Sequence, residues 1–521
     1  MGILCVDAGT TMVKAVLFDD EGRELRVARQ ATRVHRPAPG FSEQDMYSVW
    51  DAVVYTVRSV VHGTREPVRM LAFTGQGDGC WLVGADGRPT GPAILWNDGR
   101  AADVIDRWER EGVLDDAFRI NGNYGFAGTS GAIMRWLWEN DRDRLDASHK
   151  ALYCDGWLFL KLTGEYAAEE SDAASPFLDI RERAYSPRIL ELLDMPWAER
   201  LLPAVRGGGE RVAGLHALAA AELRLPAGLP VVMAPFDIPA TAIGIGAVAP
   251  GHACTILGTT LCTSTPLATA DTSGRPAGMT LPSGVADGYL RSLAAMAGIE
   301  TISWGMDLIG LHNPNWISDL AQEAPPGSDG LFFHPYLSPA GERAPFRHSD
   351  ARGSISGLTF EHTKAHIARA MLEGLSYIVR ECLTFAGARA TELRLTGGGA
   401  NSTFWCRLLA DVTGVPTLRS ADSEIGAKGA FITALMETGE ESSAQRAVER
   451  CVTVRDVFEP DPARAALYDE LYGDFLAIRE GVMGEWGRLA ASRARHRAAE
   501  PPPAPRPEQI VPSWEESRPS P

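Results

Sequence analysis

A short strand–turn–strand pattern occurs twice in this chain of 521 residues, once at its start and once near its middle. In each copy an apolar run leads into the turn Gly-Thr-Thr, at residues 9–11 and 258–260, and a second apolar run follows directly. A pattern that repeats at this distance is typical of a chain with two similar domains, each of which begins its own sheet. We therefore expect two related domains with a ligand-binding cleft between them.

The segments that follow each copy indicate α/β domains. Apolar residues recur at helical spacing from Tyr47 to Val61, and residues 68–74 predict a buried strand. After the second copy, residues 366–386 predict a helix and residues 392–396 predict a strand. Both halves of the chain therefore combine helices with strands.

The domain boundaries follow from the repeat and from a proline-rich end. The second copy begins shortly after residue 250, so we place an N-terminal domain at 1–245 and a C-terminal domain at 246–485. Residues 500–521 contain eight prolines and almost no periodic apolar pattern. We expect a proline-rich, disordered tail at 486–521.

Composition excludes several classes of partner. The chain has 67 acidic and 50 basic residues, a formal charge of −17, and no basic block for nucleic acid or an anionic membrane. No apolar run approaches the ~18 residues of a transmembrane helix, and the eight cysteines lack the spacing of a zinc or disulfide framework. We expect a cytoplasmic protein with a small-molecule partner; its oligomeric state stays open, with a homodimer as one alternative.

The two Gly-Thr-Thr turns are candidate phosphate-binding sites. Turns of this type bring N–H groups and hydroxyls close to a phosphate, and a carboxylate at a strand end can hold Mg²⁺ through water. One such turn alone is equally consistent with an ordinary hairpin, whereas two turns facing across a cleft fit the two ends of a triphosphate. The candidate residues are Asp7, Gly9, Thr10, Thr11 and Lys14 in the first copy and Gly258, Thr259 and Thr260 in the second.

A third motif has three consecutive glycines between a predicted strand and a predicted helix at residues 402–412. Such a junction lets the backbone lie against a flat ligand beside a helix N-terminus. The alternative is an ordinary helix entry that Asn401 caps. The candidate nucleotide-binding residues are Gly397, Gly398, Gly399 and Asn401.

Asp237 stands on a predicted strand-to-helix turn next to the domain boundary. The apolar run 230–234 precedes it, and a stretch rich in small residues follows. A carboxylate in this place can point into the cleft and take a proton from a substrate hydroxyl. The alternative is that Asp237 caps the helix.

Two polar segments at strand ends, residues 74–79 and 94–100, are candidates for binding the substrate. Their amide, carboxylate and guanidinium groups can bond several hydroxyls at once. Asp98 and Arg100 are equally consistent with a structural ion pair. The candidate substrate-binding residues are Gln76, Gly77, Asp78, Trp96, Asp98, Arg100 and Asp237.

Taken together, these motifs resemble the FGGY family of carbohydrate kinases, which belongs to the actin-like ATPase superfamily. The resemblance extends from Ile3 to about Gly439. Its most specific part is the stretch 353–358 with 366–373, which is similar to the family's C-terminal signature, and residues 336–345 also resemble a family segment.

The resemblance implies two actin-like, ribonuclease H-like domains that close over MgATP and an open-chain sugar. Asp237 matches the family's catalytic aspartate, and Asp7 would help to place Mg²⁺, through water. The Gly-Thr-Thr turns match the phosphate motifs, and the triple glycine matches the adenosine motif. The implied activity is ATP-dependent transfer of the γ-phosphate to a primary hydroxyl.

The resemblance favours a ketopentose such as a xylulose as the substrate, because residues 94–100 read Ile-Leu-Trp-Asn-Asp-Gly-Arg as in xylulokinases. Those enzymes usually have Gly-Gln-Met-His-Gly where residues 75–79 read Gly-Gln-Gly-Asp-Gly. The acidic Asp78 resembles glycerol kinases and other polyol kinases, so erythritol, a pentitol or glycerol is the alternative. A sugar-binding regulator without catalysis is a remote third hypothesis, which the presence of Asp7, Asp237 and both turns disfavours.

Overall fold

The computed structural model describes residues 2–285 and 288–499. The strands of the N-terminal half are β1 (Gly2–Ala8), β2 (Met12–Phe18), β3 (Glu24–Ala31), β4 (Glu43–Gln44), β5 (Val68–Gly75), β6 (Trp81–Val83), β7 (Ala93–Ile94), β8 (Lys150–Leu152), β9 (Ala167–Glu169), β10 (Leu178–Asp179), β11 (Ala184–Tyr185), β12 (Ala204–Arg206), β13 (Val212–Gly214) and β14 (Pro230–Met233). Those of the C-terminal half are β15 (His252–Leu257), β16 (Leu261–Leu267), β17 (Met279–Pro282), β18 (Tyr289–Ala295), β19 (Phe332–His334), β20 (Ser354–Ser356), β21 (Glu392–Thr396), β22 (Thr417–Ser420) and β23 (Val454–Phe458).

The α-helices alternate with these strands. The helices of the N-terminal half are α1 (Met46–Val61), α2 (Ala102–Arg110), α3 (Val113–Asn121), α4 (Ser130–Asn140), α5 (Arg142–Ala147), α6 (Cys154–Thr163), α7 (Glu170–Ala173), α8 (Pro187–Leu192), α9 (Ala217–Leu223) and α10 (Asp237–Ile245). Those of the C-terminal half are α11 (Ile299–Leu308), α12 (Ile317–Ala321), α13 (Lys364–Phe385), α14 (Thr403–Thr413), α15 (Ile425–Glu437), α16 (Ala444–Cys451) and α17 (Pro462–Ala499).

Two sheets with the same pairing pattern organise the two halves. The first has the order β13–β14–β5–β1–β2–β3, in which β1, β5 and β14 are parallel while β2 is antiparallel to β1 and to β3. The second has the order β17–β18–β16–β15–β21–β22–β23, in which β15, β21 and β22 are parallel while β16 is antiparallel to β15 and to β18. The repeated pattern in the sequence thus builds β1–β2 and β15–β16, and the predicted two-domain α/β class is confirmed.

Helix α15 joins the two halves, because it follows a strand of the second sheet yet packs on the first. Its residues Ala427, Ala430 and Phe431 share one buried apolar cluster with Cys5 and Phe18, from β1 and β2. The aromatic rings of Phe18 and Phe431 lie 5.1 Å apart, centroid to centroid. Apolar burial therefore fixes this helix on the N-terminal half.

Helices α10 and α15 approach each other so closely that glycine is required where they touch. A Cβ atom on Gly244 would lie 2.0 Å from the carbonyl oxygen of Ile425, and one on Gly429 would lie 1.8 Å from that of Ala240. Glycine lets the two backbones come into direct contact. This contact lies on the helix that begins with Asp237.

Helix α17 extends further than the sequence analysis predicts. Because it ends at Ala499, the prediction of a disordered tail is wrong for residues 486–499. Trp486 is 1% exposed, and its ring stacks on Phe346 with the centroids 6.1 Å apart. Burial of this apolar face stabilises the helix across the predicted boundary. The remainder of the predicted tail, residues 500–521, lies outside the described residues.

Within residues 2–285 and 288–499, no helix has a sufficiently long apolar stretch to cross a bilayer.

Candidate active site

Asp237 is the first residue of α10 and follows the last parallel strand of the first sheet. Phe236 occupies the N-cap position, so the alternative in which Asp237 caps the helix is wrong. The peptide before Asp237 is held from two sides. The Thr74 hydroxyl donates to the carbonyl oxygen of Pro235 at 2.7 Å, and the Phe236 N–H donates to Oγ of Ser171 at 3.3 Å.

The carboxyl group of Asp237 is buried near other carboxyl groups. Burial, followed by the negative charges of Asp7 and Asp78, raises the pKa of Asp237 to about 7. A hydrogen bond from the Ile238 N–H and the positive charge of Lys14 act in the opposite direction. A carboxyl group with a pKa near neutrality is suited to proton transfer.

The first Gly-Thr-Thr turn carries Asp7 at the end of β1. The Gly9 N–H donates to the carbonyl oxygen of Met12 at 3.1 Å and closes the turn. Nζ of Lys14 lies 3.7 Å from Oδ2 of Asp7 and 3.1 Å from Oε2 of Glu424. Burial raises the pKa of Asp7, although Lys14 opposes the shift. Lys14 therefore neutralises carboxylates from both halves of the chain.

Thr10 belongs to a hydrogen-bond network with two of the predicted substrate residues. Its hydroxyl donates to Oε1 of Gln76 at 2.7 Å and accepts from Nε1 of Trp96 at 3.0 Å. Nε2 of Gln76 donates to Oε1 of Gln44 at 2.9 Å. Both ends of the Gln76 carboxamide therefore have protein partners, whereas the next turn residue, Thr11, is exposed.

The second Gly-Thr-Thr turn lies against the triple-glycine turn. Gly397 has a φ of +86°, and a Cβ atom on it would lie 2.7 Å from the carbonyl oxygen of Leu257. A Cβ atom on Gly399 would lie 2.8 Å from Cβ of Leu257. The carbonyl oxygen of Gly258 accepts the N–H of Ile299, at the start of α11, at 2.9 Å. The structure thus brings the predicted second phosphate motif and the predicted adenosine motif together.

The charge of Asp237 also acts on a group that follows the second turn. Burial raises the pKa of the Cys262 thiol, just beyond this turn, to about 11, and the charge of Asp237 adds to that shift. Because Asp7 beside the first turn also acts on Asp237, both turns lie within electrostatic reach of one carboxyl group. Thr259 is exposed and Thr260 is half-buried, so both are accessible to a ligand.

Asn401 does not cap helix α14. The N-cap residue is Ser402, whose hydroxyl accepts the N–H of Trp405 at 3.0 Å. The segment Gly398–Asn401 forms a separate 3₁₀ turn, in which Asn401 is exposed. The capping alternative is therefore wrong, and Asn401 stays a candidate for the nucleotide site.

Asp78 presents an unusual backbone and an unpaired oxygen. Its φ of 53° is a left-handed conformation that residues other than glycine seldom adopt. Within the described part of the chain, its buried Oδ1 has no hydrogen-bond partner. Burial raises its pKa to about 6, and Ser175 and Arg343 oppose the shift. The neighbouring Gly77 has no space for a side chain, because a Cβ atom would lie 2.3 Å from the Phe236 ring.

Asp98 and Arg100 form the structural ion pair that the sequence left as an alternative. Nε of Arg100 donates to Oδ1 of Asp98 at 2.9 Å, and Nη2 donates to Oδ2 at the same distance. The Ser42 N–H also donates to Oδ2, at 2.6 Å, and Arg100 reaches Glu43 at 2.7 Å. The guanidinium lies 4.1 Å from the centre of the Phe41 ring. Both carboxylate oxygens of Asp98 are therefore occupied by protein donors.

Two buried aspartates that were not predicted from the sequence also interact electrostatically with Asp237. Asp155 lies in the first turn of α6 and Asp172 in α7, and among the described residues their carboxylate oxygens have no hydrogen-bond partners. Burial raises the pKa of both well above the usual range, and the charge of Asp237 contributes in each case. A signal was present for Asp155, which interrupts the largely apolar string at residues 151–160.

The carboxylates suit a Mg²⁺ ion that is held jointly by the protein and a nucleotide. Residues 2–285 and 288–499 contain no group of three or more His, Cys, Asp or Glu placed to hold a metal. Mg²⁺ at nucleotide sites is usually bound by one or two carboxylates, phosphate oxygens and water. Asp7, whose charge destabilises the ionised Asp237, fits such a site, because a cation would relieve that repulsion.

Comparison with known proteins identifies the family. Residues 2–244 match the N-terminal domain of the FGGY family of carbohydrate kinases, and residues 253–438 match its C-terminal domain. Erythritol kinase of Brucella abortus is 30% identical over 516 residues, which cover 94% of this chain and 98% of that protein. Xylulose kinase of Escherichia coli is 29% identical over 478 residues, which cover 89% and 95% respectively.

A solved structure agrees with these sequence matches. Xylulose kinase of Rhodospirillum rubrum is 25% identical and superposes with a TM-score of 0.86, covering 94% of this chain and all of the other. The resemblance found in the sequence is confirmed, and so is the actin-like fold that it implies. The chain therefore belongs to the FGGY family of carbohydrate kinases and is a sugar or polyol kinase.

Proposed function

We propose that this enzyme transfers the γ-phosphate of ATP to a primary hydroxyl of an open-chain polyol, such as a tetritol or a pentitol. The observation that carries the proposal is the environment of Asp237, a buried carboxyl group whose pKa is raised to about 7 between Asp7 and Asp78. Asp7 is next to the turn proposed for phosphate, and Asp78 carries the unpaired oxygen proposed for the acceptor substrate.

Asp237 acts as the general base. Its carboxylate takes the proton from the attacking hydroxyl while that oxygen forms its bond to the γ-phosphorus and the bond to the leaving ADP oxygen breaks. Phosphoryl transfer depends mainly on alignment and charge stabilisation, so the base must above all be held in place. The hydrogen bonds of Thr74 and Ser171 to the preceding peptide provide that support.

The two turns hold the nucleotide. Mg²⁺ would supply positive charge to the phosphate oxygens, and Asp7 is the residue that would help to hold it, through water. The Thr10 hydroxyl already bonds Gln76 and Trp96. Thr10 therefore contributes its backbone N–H to the phosphate site. The phosphate contacts come from Thr11, Lys14, Gly258, Thr259 and Thr260, whereas Gly9, whose N–H donates to Met12, shapes the first turn. The adenosine contacts come from Gly397, Gly398, Gly399 and Asn401.

The acceptor side of the cleft favours a polyol. Oδ1 of Asp78 is buried without a partner in the described chain, and the pKa of this carboxyl is raised only to about 6, so it is mostly ionised at neutral pH. A hydroxyl donates a hydrogen to such oxygens, whereas a ketone carbonyl only accepts one. A molecule with a hydroxyl on every carbon satisfies this carboxylate best. The 30% identity to an erythritol kinase supports the same choice.

A ketopentose is the second candidate, and the identity to xylulose kinase favours it. Arg343 is a donor that a ketone could use: its Nε donates to the carbonyl oxygen of Ala294 at 2.8 Å, and its charge acts on Asp78. The resemblance at residues 94–100 supports this candidate less directly, because Asp98 and Arg100 bond each other.

The test is sugar-dependent ATP consumption by the purified full-length chain. The acceptors are erythritol, xylitol, ribitol, arabitol and glycerol, together with D- and L-xylulose. We expect the highest kcat/KM with a tetritol or pentitol and a strong rise of KM in Asp78→Asn. A higher kcat/KM with a xylulose, unaffected by Asp78→Asn, would replace the proposal with the second candidate.

A further inference from the structure

Arg211 is the centre of a buried ionic cluster that the proposed reaction does not use. Its side chain is 2% exposed. Nε donates to Oε1 of Glu169 at 2.9 Å, Nη2 to Oε1 of Glu170 at 2.8 Å, and Nη1 to Oε1 of Glu437 at 3.0 Å. The planar guanidinium thus donates hydrogen bonds to three carboxylates at once, which a lysine ammonium could not do in the same geometry.

One arm of the cluster leads to the peptide before Asp237. Oε2 of Glu169 accepts the N–H of Ser171 at 2.6 Å and also the Ser171 hydroxyl. Oγ of Ser171 in turn accepts the N–H of Phe236 at 3.3 Å. A chain of hydrogen bonds therefore runs from Arg211 through Glu169 and Ser171 to Phe236, the residue immediately before the proposed base.

The other arm leads to the C-terminal half. Glu437 is the last residue of α15; its Oε1 pairs with Arg211, and its Oε2 accepts the N–H of Gly209 at 2.9 Å. At the opposite end, α15 begins next to Glu424, which pairs with Lys14 at 3.1 Å. Helix α15 is therefore attached to the N-terminal half at both ends.

We propose that Arg211 is a positioning residue, which ties the peptide carrying Asp237 to the end of helix α15. The base and the helix that connects the two domains then keep a fixed relative orientation. This inference rests on the proposed role of Asp237 as general base. Loss of the connection should misalign the base and lower kcat, while KM stays near its value because the cluster bonds protein groups.

The variants are chosen to break the connection at single points. Ser171→Ala removes the acceptor of the Phe236 N–H, and Glu437→Gln weakens the arm to α15. Arg211→Met tests the centre, but it leaves three carboxylates buried without their cation and endangers the fold, so the two milder variants carry the test. The control is Glu165→Gln, which breaks an exposed ion pair with Arg206 in the same half of the chain.

We expect kcat to fall about tenfold in Ser171→Ala and Glu437→Gln, because small misplacements of reacting groups are costly. KM for the acceptor and for ATP should stay within about twofold, and Glu165→Gln should match the wild type. A double variant distinguishes the positioning role from a merely structural one. In an Asp237→Asn background, Ser171→Ala should not lower the residual rate further, because both changes act on one route.

Wild-type kcat in both mild variants would overturn the inference. So would a tenfold loss that persists in the Asp237→Asn background, since it would show that Ser171 does not act through Asp237. Asp237→Ala is measured in parallel to separate the two proposals. Full activity of Asp237→Ala would overturn the role of the base itself, whereas an inactive Asp237→Ala beside fully active mild variants would overturn the positioning role alone.

Discussion

Nζ of Lys14 lies 3.1 Å from a carboxylate oxygen of Glu424, and this ion pair joins the first Gly-Thr-Thr hairpin to the start of helix α15. Arg29 reaches the same carboxylate at 2.5 Å, and the Glu424 side chain is only 4% exposed. Two cations from the first sheet therefore hold the beginning of a helix from the C-terminal half. The same hairpin carries Asp7. The ion pair between Lys14 and Glu424 therefore joins helix α15 to the proposed phosphate site.

Glu424→Gln should lower the free energy of unfolding by about 1–3 kcal/mol, because a buried charged partner of two cations is lost. The measurement is urea unfolding followed by circular dichroism. Arg23→Ala is the control: Arg23 pairs with Asp19 on the surface and is 76% exposed, so its loss should change stability by less than about 0.5 kcal/mol. Equal effects of the two variants would contradict a structural role for Glu424.

The pH dependence of kcat/KM should report the raised pKa of Asp237. A base works in its ionised form, so the rate should fall as the pH drops through about 7. Asp78→Asn removes a negative charge that raises this pKa. The acid limb of the pH profile of kcat/KM should therefore move to lower pH. Lys14→Met removes a positive charge that lowers the pKa, and the limb should move to higher pH. Limbs that stay in place in both variants would rule out Asp237 as the titrating group.

Asp237→Asn should stabilise the fold in a pH-dependent way. The pKa of the carboxyl is about 7 in the folded chain against 3.8 for the free group, so its burial becomes costly as the pH rises between these values. The gain from asparagine should therefore be at most about 4 kcal/mol at pH 8 and close to zero at pH 4. Thermal unfolding at both pH values measures it. A pH-independent effect would mean that the pKa of Asp237 is not raised in the folded chain.

The repeated turns made the fold predictable from the sequence. The apolar runs around residues 9–11 and 258–260 predict β1, β2, β15 and β16, and the sheets built on them pair in the same way. Short strands separated by glycine turns are recognisable from neighbouring residues, so one sequence is sufficient to predict them. The continuation of α17 past the predicted domain boundary at residue 485 depends instead on Trp486 packing against Phe346, a contact between residues far apart in the sequence.

Part of the candidate site was also predictable from local sequence. Asp7 lies at the end of β1, and Asp78 and Asp237 follow β5 and β14. The charges of Asp7 and Asp78 both act on Asp237. Whether a polar side chain faces a ligand or another side chain is decided by tertiary contacts, as the ion pair of Asp98 and Arg100 illustrates. Nothing local distinguishes such pairs from binding residues.

Gly429→Ala should destabilise the chain by about 3 kcal/mol or more, because the added methyl group would meet the backbone of α10 where only glycine fits. Gly473→Ala, in α17, is the matched control: its Cβ would meet no atom within 4 Å, and alanine should stabilise the exposed helix by about 0.5–1 kcal/mol. Urea unfolding of both variants provides the comparison. A neutral Gly429→Ala would show that the helix contact is looser than described.

The variant Asp237→Asn tests whether Asp237 is the base of a sugar or polyol kinase. Acceptor-dependent ATP consumption is measured beside the binding of ATP by calorimetry, on the same preparations of wild type and variant. We expect a loss of kcat of about 10³-fold, with the affinity for ATP unchanged. Retention of wild-type kcat by a variant that still binds ATP would contradict this role of Asp237.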